Sequence, residues 1–93
     1  MNIGDTRAEM LADVAELREQ IAATADPSRR AALADEARRR IERARKRFKR
    51  RIDEQASRRF GFTVHARAGI ERKLVQVTAE AIAAVTAAAS KPG

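Results

Sequence analysis

Cysteine, tryptophan and tyrosine are absent from this 93-residue chain, and histidine occurs once. Without Cys there is no disulfide and no thiolate metal site. Without Trp or Tyr, and with only three Phe, there is no ready platform on which nucleic-acid bases would stack. His65 lies beside Arg67 in an expected loop with no carboxylate close in sequence, which is a poor setting for acid–base catalysis or metal binding. Ser28, Ser57 and Ser90 have no base near them in sequence. A glycine-rich phosphate loop is missing too: Gly61 and Gly69 flank an alternating segment, and no Gly-Lys-Ser/Thr follows. Glu9, Asp13 and Glu16 share one helix face, which a solvated or ion-paired surface explains better than a divalent cation. These absences point away from an enzyme and imply no cofactor and no bound metal.

Long apolar runs are also lacking. The most apolar stretch, residues 81–89, is far shorter than the roughly 20 residues a bilayer-spanning helix needs. Residues 1–5 have neither a basic start nor an apolar run, so no signal peptide is expected. The reading is a soluble cytoplasmic protein with no membrane partner. Its richness in Ala and Arg is of the kind met in high-GC bacterial or phage genomes. Residues 1–93 make a single small domain, and the apolar content is mainly Ala. A chain of this length buries only about 60–65% of its unfolded surface when it folds alone. A core built on alanine is thin, and a helical chain in this position often completes it with a second copy or a larger complex.

What is present is helical periodicity. Ile3, Met10, Val14, Leu17 and Ile21 recur at spacings of seven, four, three and four, a seam like that of a coiled coil. This predicts helix 1 over about 7–25, opened by a capping box between Thr6 and Glu9. Asp26-Pro27 ends it and starts the next, because proline disfavours the α conformation before it and is tolerated at the first helical position. Helix 2 is expected over about 28–60, roughly 50 Å long, with Leu33, Ala37, Ile41, Ala44, Phe48 and Ile52 on one side. Folded back as an antiparallel hairpin, the two would stack Ile21 with Leu33, Leu17 with Ala37, Val14 with Ile41, Met10 with Ala44 and Ile3 with Ile52. Gly61 is expected to stop helix 2 at its C′ position, with Phe62 folding back. Residues 62–67 alternate apolar and polar, as a short edge strand or an extended linker would. Helix 3 is expected over about 70–89. Its face of Ile70, Leu74, Val77, Ala81 and Val85, widened by Val75 and Ile82, has no charge between Glu80 and Lys91. It should therefore be buried on most sides, either in the groove of helices 1 and 2 or against a second chain.

The net charge of +7 is unevenly distributed. Residues 1–27 carry two basic and six acidic side chains, a net of −4; residues 28–51 carry twelve and three, a net of +9; residues 52–93 carry six and four, a net of +2. Ten of the fourteen residues from 38 to 51 are basic. On a helix, Arg39, Arg43, Lys46 and Arg50 form a ridge opposite the apolar side. Arg40, Arg47 and Arg51 lie on one flank and Arg38 and Arg45 on the other. The flanks would meet Asp5, Glu9, Asp13, Glu16 and Glu19 of helix 1, while Glu36–Arg40, Glu42–Lys46 and Glu54–Arg58 are favourable i,i+4 pairs.

A cationic helix face is the electrostatic footprint of a phosphate partner. Neutralising about four to six phosphates would make log affinity fall against log salt with a slope near −4 to −5. Base reading is not expected, since Asn occurs only at Asn2. A helix-turn-helix would need a short recognition helix after a tight turn, a basic zipper a long heptad repeat after the basic region, and a ribbon-helix-helix a second helix after the ribbon; none fits.

Two functions are thus weighed for an all-α protein. One is non-specific nucleic-acid binding through Arg39, Arg43, Lys46 and Arg50, with Arg47 and Arg51 in support. The other is a helical assembly protein, such as a small structural or inhibitory subunit of a phage or a larger complex. Its contacts would be Ile70, Leu74, Val77, Ala81, Val85 and the 60–68 connection, and its basic face would meet an acidic protein surface.

Overall fold

A computed structural model describes residues 3–58 and 64–90, with side chains over 6–55 and 64–90. It is all-helical: α1 (Ile3–Asp13), α2 (Ala15–Ala23), α3 (Pro27–Arg58) and α4 (Val64–Ser90). No strand occurs among the described residues, and no helix there is long and apolar enough to cross a membrane. The molecule is a rod of 53 × 17 × 16 Å.

Proline and aspartate set the start of α3 as the sequence implies. Pro27 takes the first helical position, and the Asp26 carboxylate accepts the Ser28 backbone N–H at 3.1 Å, satisfying one of the donors a helix start leaves open. Three residues, 24–26, separate α2 from α3. Thr24 ends α2 in an extended conformation, with its hydroxyl donating to the Gln20 carbonyl at 2.6 Å.

α4 runs antiparallel to α3, as the bonds between them establish. Arg30 near the start of α3 donates to the carbonyls of Ala88 and Ala89 at the end of α4, at 3.1 and 3.2 Å. Arg38 reaches Thr86 at 3.2 Å. At the other end, Lys49 and Asp53 meet Glu71 and Arg67. α4 therefore packs against α1–α3 of its own chain, the first of the two placements the sequence allowed.

The core is one stripe from each helix. Met10, Val14, Leu17 and Ile21 come from α1–α2; Ala34, Ala37, Ile41, Ala44, Phe48 and Ile52 from α3; Leu74, Ala81 and Val85 from α4. Each large aliphatic side chain so buried contributes about 1.5–3 kcal/mol. The alanines contribute little area but let the helix axes approach closely. Leu33 is only half-buried, and Ala34 occupies the fully buried position beside it.

Three local expectations are corrected. Helix 1 does not start at Thr6: α1 begins at Ile3, and Thr6 lies inside it, fully buried, its hydroxyl without a hydrogen-bond partner. No capping box forms, because Thr6 lies inside the helix and its hydroxyl is turned into the core, away from the backbone N–H groups of a helix start. The helix is also broken at Val14, whose φ of −110° and ψ of 5° leave the helical region. The two halves answer to different neighbours, α1 lying mainly against α4 and α2 mainly against α3. Finally, the alternation over 62–67 is neither strand nor linker from Val64 onward, since α4 starts there and runs through Gly69. A glycine inside a helix costs about 1 kcal/mol relative to alanine. The first turns of α4 are held all the same by Arg67–Glu71 within the helix and by bonds to α3. The expected stop at Gly61, with Phe60 and Phe62, falls outside the described residues, as does the Ile3 side chain.

Candidate nucleic-acid interface

α3 sorts its side chains sharply. Ala34, Ala37, Ile41, Ala44, Phe48 and Ile52 follow one another at three- and four-residue steps and are buried. Seven residues between positions 39 and 51 are exposed: Arg39, Arg40, Arg43, Lys46, Arg47, Arg50 and Arg51. Every one is a cation. Glu42 lies to the side, half-buried. The four ridge residues and their supporters Arg47 and Arg51 are thus on one exposed surface, joined by Arg40.

The few carboxylates near this surface pair with its edges. Glu36, one turn before it, accepts from Arg39 at 3.1 Å and Arg40 at 3.3 Å and lies 3.9 Å from Arg43. Hydrogen bonds from Arg39 and then Arg40 hold the Glu36 carboxyl below the usual glutamate value. Asp13 of α1 reaches Arg47 at 3.4 Å, and Asp13, Arg40, Arg43 and Arg47 line a shallow depression. The Arg51 guanidinium sits 4.9 Å from the centre of the Phe48 ring. Lys46 and Arg50 have no acidic partner among the described residues. Exposed pairs of this kind are worth about 0–1 kcal/mol, so the arginines can exchange them for phosphate at little cost.

The second flank behaves differently from expectation. Arg38 and Arg45 do not turn to helix 1. Arg45 pairs with Glu42 at 3.0 Å, and Arg38 bonds to Asp35 and to Thr86 of α4. Glu42 is therefore engaged with Arg45, and the i,i+4 pairing with Lys46 does not form. Glu54–Arg58 falls outside the described side chains.

The apolar face of α4 is inside the chain's own core: Leu74, Ala81 and Val85 are buried, and Ile70 and Val77 pack half-buried against them. Ile70 and Val77 thus keep part of their surface exposed, while Leu74, Ala81 and Val85 do not. His65 is exposed in the first turn of α4 rather than in a loop. No group of three metal-ligating side chains converges among the described residues.

Two features were harder to read in sequence. Arg30 is only 7% exposed and bonds the carbonyls of Thr24, Ala88 and Ala89, closing one end of the bundle. Its position one turn before Ala34, in line with Ala37 and Ile41, was the available signal. At the other end, Lys49, Asp53, Arg67 and Glu71 form one ion-paired network. Its i,i+4 halves are visible in sequence, but their meeting is not. The bond from Lys49 and then that from Arg67 lower the Glu71 carboxyl's pKa, and the bond to Glu71 raises that of Lys49.

No protein-family model, curated protein or solved structure matches this chain.

Proposed function

We propose that this chain is a non-enzymatic helical protein that contacts nucleic-acid phosphates, without sequence preference, through the outer face of α3. Arg39, Arg43, Lys46 and Arg50 carry the contact, and Arg47 and Arg51 support it. One observation carries the reading: all seven exposed residues between positions 39 and 51 are Arg or Lys. A face kept only for solubility would be expected to mix both signs. The mechanism is counterion release, with log affinity falling linearly against log salt. The test is anisotropy of labelled duplex DNA, single-stranded DNA and RNA across a salt series. Replacing Arg39, Arg43, Lys46 and Arg50 by Gln should abolish binding and leave the helical content and mass unchanged. Retention of full affinity by that variant would remove the assignment.

A second reading is a helical assembly protein, favoured by the outer face of α4. There Val75 is 64% exposed, and beyond Glu80 the exposed positions Ala83, Thr86, Ala87 and Ser90 bear no charge. On this reading the basic face of α3 meets an acidic protein surface, and copies of the chain associate. Sedimentation equilibrium of the chain alone tests the self-association. We further propose that α1–α2 and α3 form a layered antiparallel hairpin pairing Leu17 with Ala37, Val14 with Ile41 and Met10 with Ala44. The burial of all six supports it, and disulfide formation in a Val14→Cys, Ile41→Cys double variant tests it.

A further inference from the structure

The seven exposed cations of α3 do not form one line. At the helical repeat, Arg39, Arg43, Lys46 and Arg50 cluster about one direction and Arg40, Arg47 and Arg51 about another, roughly 90° around the axis. Each row rises roughly 17 Å along the helix. The side-chain radius of a helix is about 6 Å, and an extended arginine reaches somewhat further, so the rows stand roughly 8–12 Å apart. A single strand followed along α3 would need one row. Two parallel rows at this separation suit two chains of phosphates flanking a groove.

We infer that the ligand of this face is duplex DNA of B form, bracketed across its major groove by the two rows; the inference rests on the phosphate-binding reading above. The groove is about 12 Å wide, comparable with the row separation. The bundle itself is 17 × 16 Å in cross-section, too broad to enter the groove, so α3 spans it from outside and reads no base edges. The other nucleic acids fit less well. A-form RNA has a deep, narrow major groove. Single strands are held by stacking as well as charge, and Phe48, the one phenylalanine side chain among the described residues, is 6% exposed and covered by Arg51. Asp13 marks the edge of the second row. It draws Arg47 toward α1 and stands where a phosphate of the second strand would approach.

The experiment is anisotropy with a 30-base-pair DNA duplex, its single strand and the matching RNA duplex, each across a salt series. Wild-type chain should bind duplex DNA at least tenfold tighter than either alternative. Changing Arg40, Arg47 and Arg51 together to Gln should lower the salt slope on duplex DNA by about 2–3. Asp13→Asn should tighten binding severalfold. Circular dichroism melting of each variant separates lost contact from lost fold. Equal affinity for single strand and duplex, a preference for duplex RNA, or an unchanged slope in the Arg40, Arg47, Arg51 variant would overturn the inference while leaving phosphate binding by the first row intact. Absence of binding to all three probes would instead overturn the phosphate-binding reading itself, and this inference with it.

Discussion

α3 and α4 are both long helices, lie antiparallel and give one stripe each to the same core, yet their outer faces differ in charge. Between positions 39 and 51 α3 exposes only arginine and lysine; α4 exposes Arg72, Lys73 and Glu80 together with Val75, Ala79, Ala83 and Ala87, and no charge beyond Glu80. In α3 the contrast between faces announces which side is buried. In α4 there is little contrast, because alanine favours helix without requiring burial, and the stripe of Leu74, Thr78, Ala81 and Val85 is selected by its register against α1–α3. Hydrophobicity around a helix therefore says where a core can form; the neighbouring helices decide where it does.

The comparison breaks most visibly if the two faces of α4 are charged in turn. Ala81 is fully buried, so Ala81→Asp places an unpaired carboxylate in the core and should destabilise by about 3–5 kcal/mol, enough to unfold so small a bundle. Val75→Asp, one and a half turns earlier on the outer face, should change stability by about 0.5 kcal/mol or less. Urea denaturation followed by circular dichroism measures both. A large loss in Val75→Asp would mean that the outer face is covered in solution, which is the result the assembly reading requires.

The same contrast explains what could be read in advance. The helical class, the break at Asp26-Pro27 and the buried stripe of α3 follow from local signals: a proline, a capping carboxylate, and apolar steps of three and four set against charge. The exposed ridge of α3 follows from the same periodicity. The start of α4 could not be read this way. Val64, Ala66 and Ala68 alternate with polar residues as a strand would, and the helix that forms there is joined to α3 by non-local bonds, Lys49 donating to Glu71 and Arg67 to Asp53. The break at Val14 was likewise hidden, since it comes from α1 and α2 packing on different neighbours and no proline or glycine marks it. Thr6 misled because Thr-x-x-Glu is a sound capping signal, but burial of the hydroxyl excludes that use.

Two buried threonines sharpen the point at smaller magnitude. Thr78 in the α4 stripe donates to the Leu74 carbonyl at 2.7 Å, whereas the Thr6 hydroxyl, facing the same core from α1, has no partner. A buried polar group without a hydrogen bond is unfavourable by about 1–3 kcal/mol in mutational comparisons. Thr6→Val keeps the shape and removes the hydroxyl, so it should stabilise by about 1 kcal/mol. Thr78→Val removes a satisfied hydroxyl and should be nearly neutral. Thermal melts of the two variants and of the wild type decide it, and equal effects would mean that the Thr6 hydroxyl is satisfied in solution.

The smallest effect concerns the one place where α4 answers α3 with charge. Lys49, Asp53, Arg67 and Glu71 are each partly exposed, so solvent screens them and their contribution is modest. Its pH dependence has a definite sign. The Glu71 carboxyl titrates below its ordinary value because Lys49 and Arg67 donate to it. The unfolded chain therefore binds that proton first. The stabilisation is complete above the ordinary glutamate value of about 4.3 and is lost as pH falls through the lower folded value. Lys49 is shifted upward, chiefly by Glu71, so its share is complete below the ordinary lysine value of about 10.4 and is lost as pH rises through the higher folded one. Glu71→Gln should thus melt a few degrees below wild type between about pH 6 and 9, with the gap closing below about pH 4. A gap that stayed constant down to pH 3 would show that Glu71 acts by packing. The start of α4 would then be held by the same apolar register as the rest of the helix, and the contrast with α3 would extend to its last charged contact.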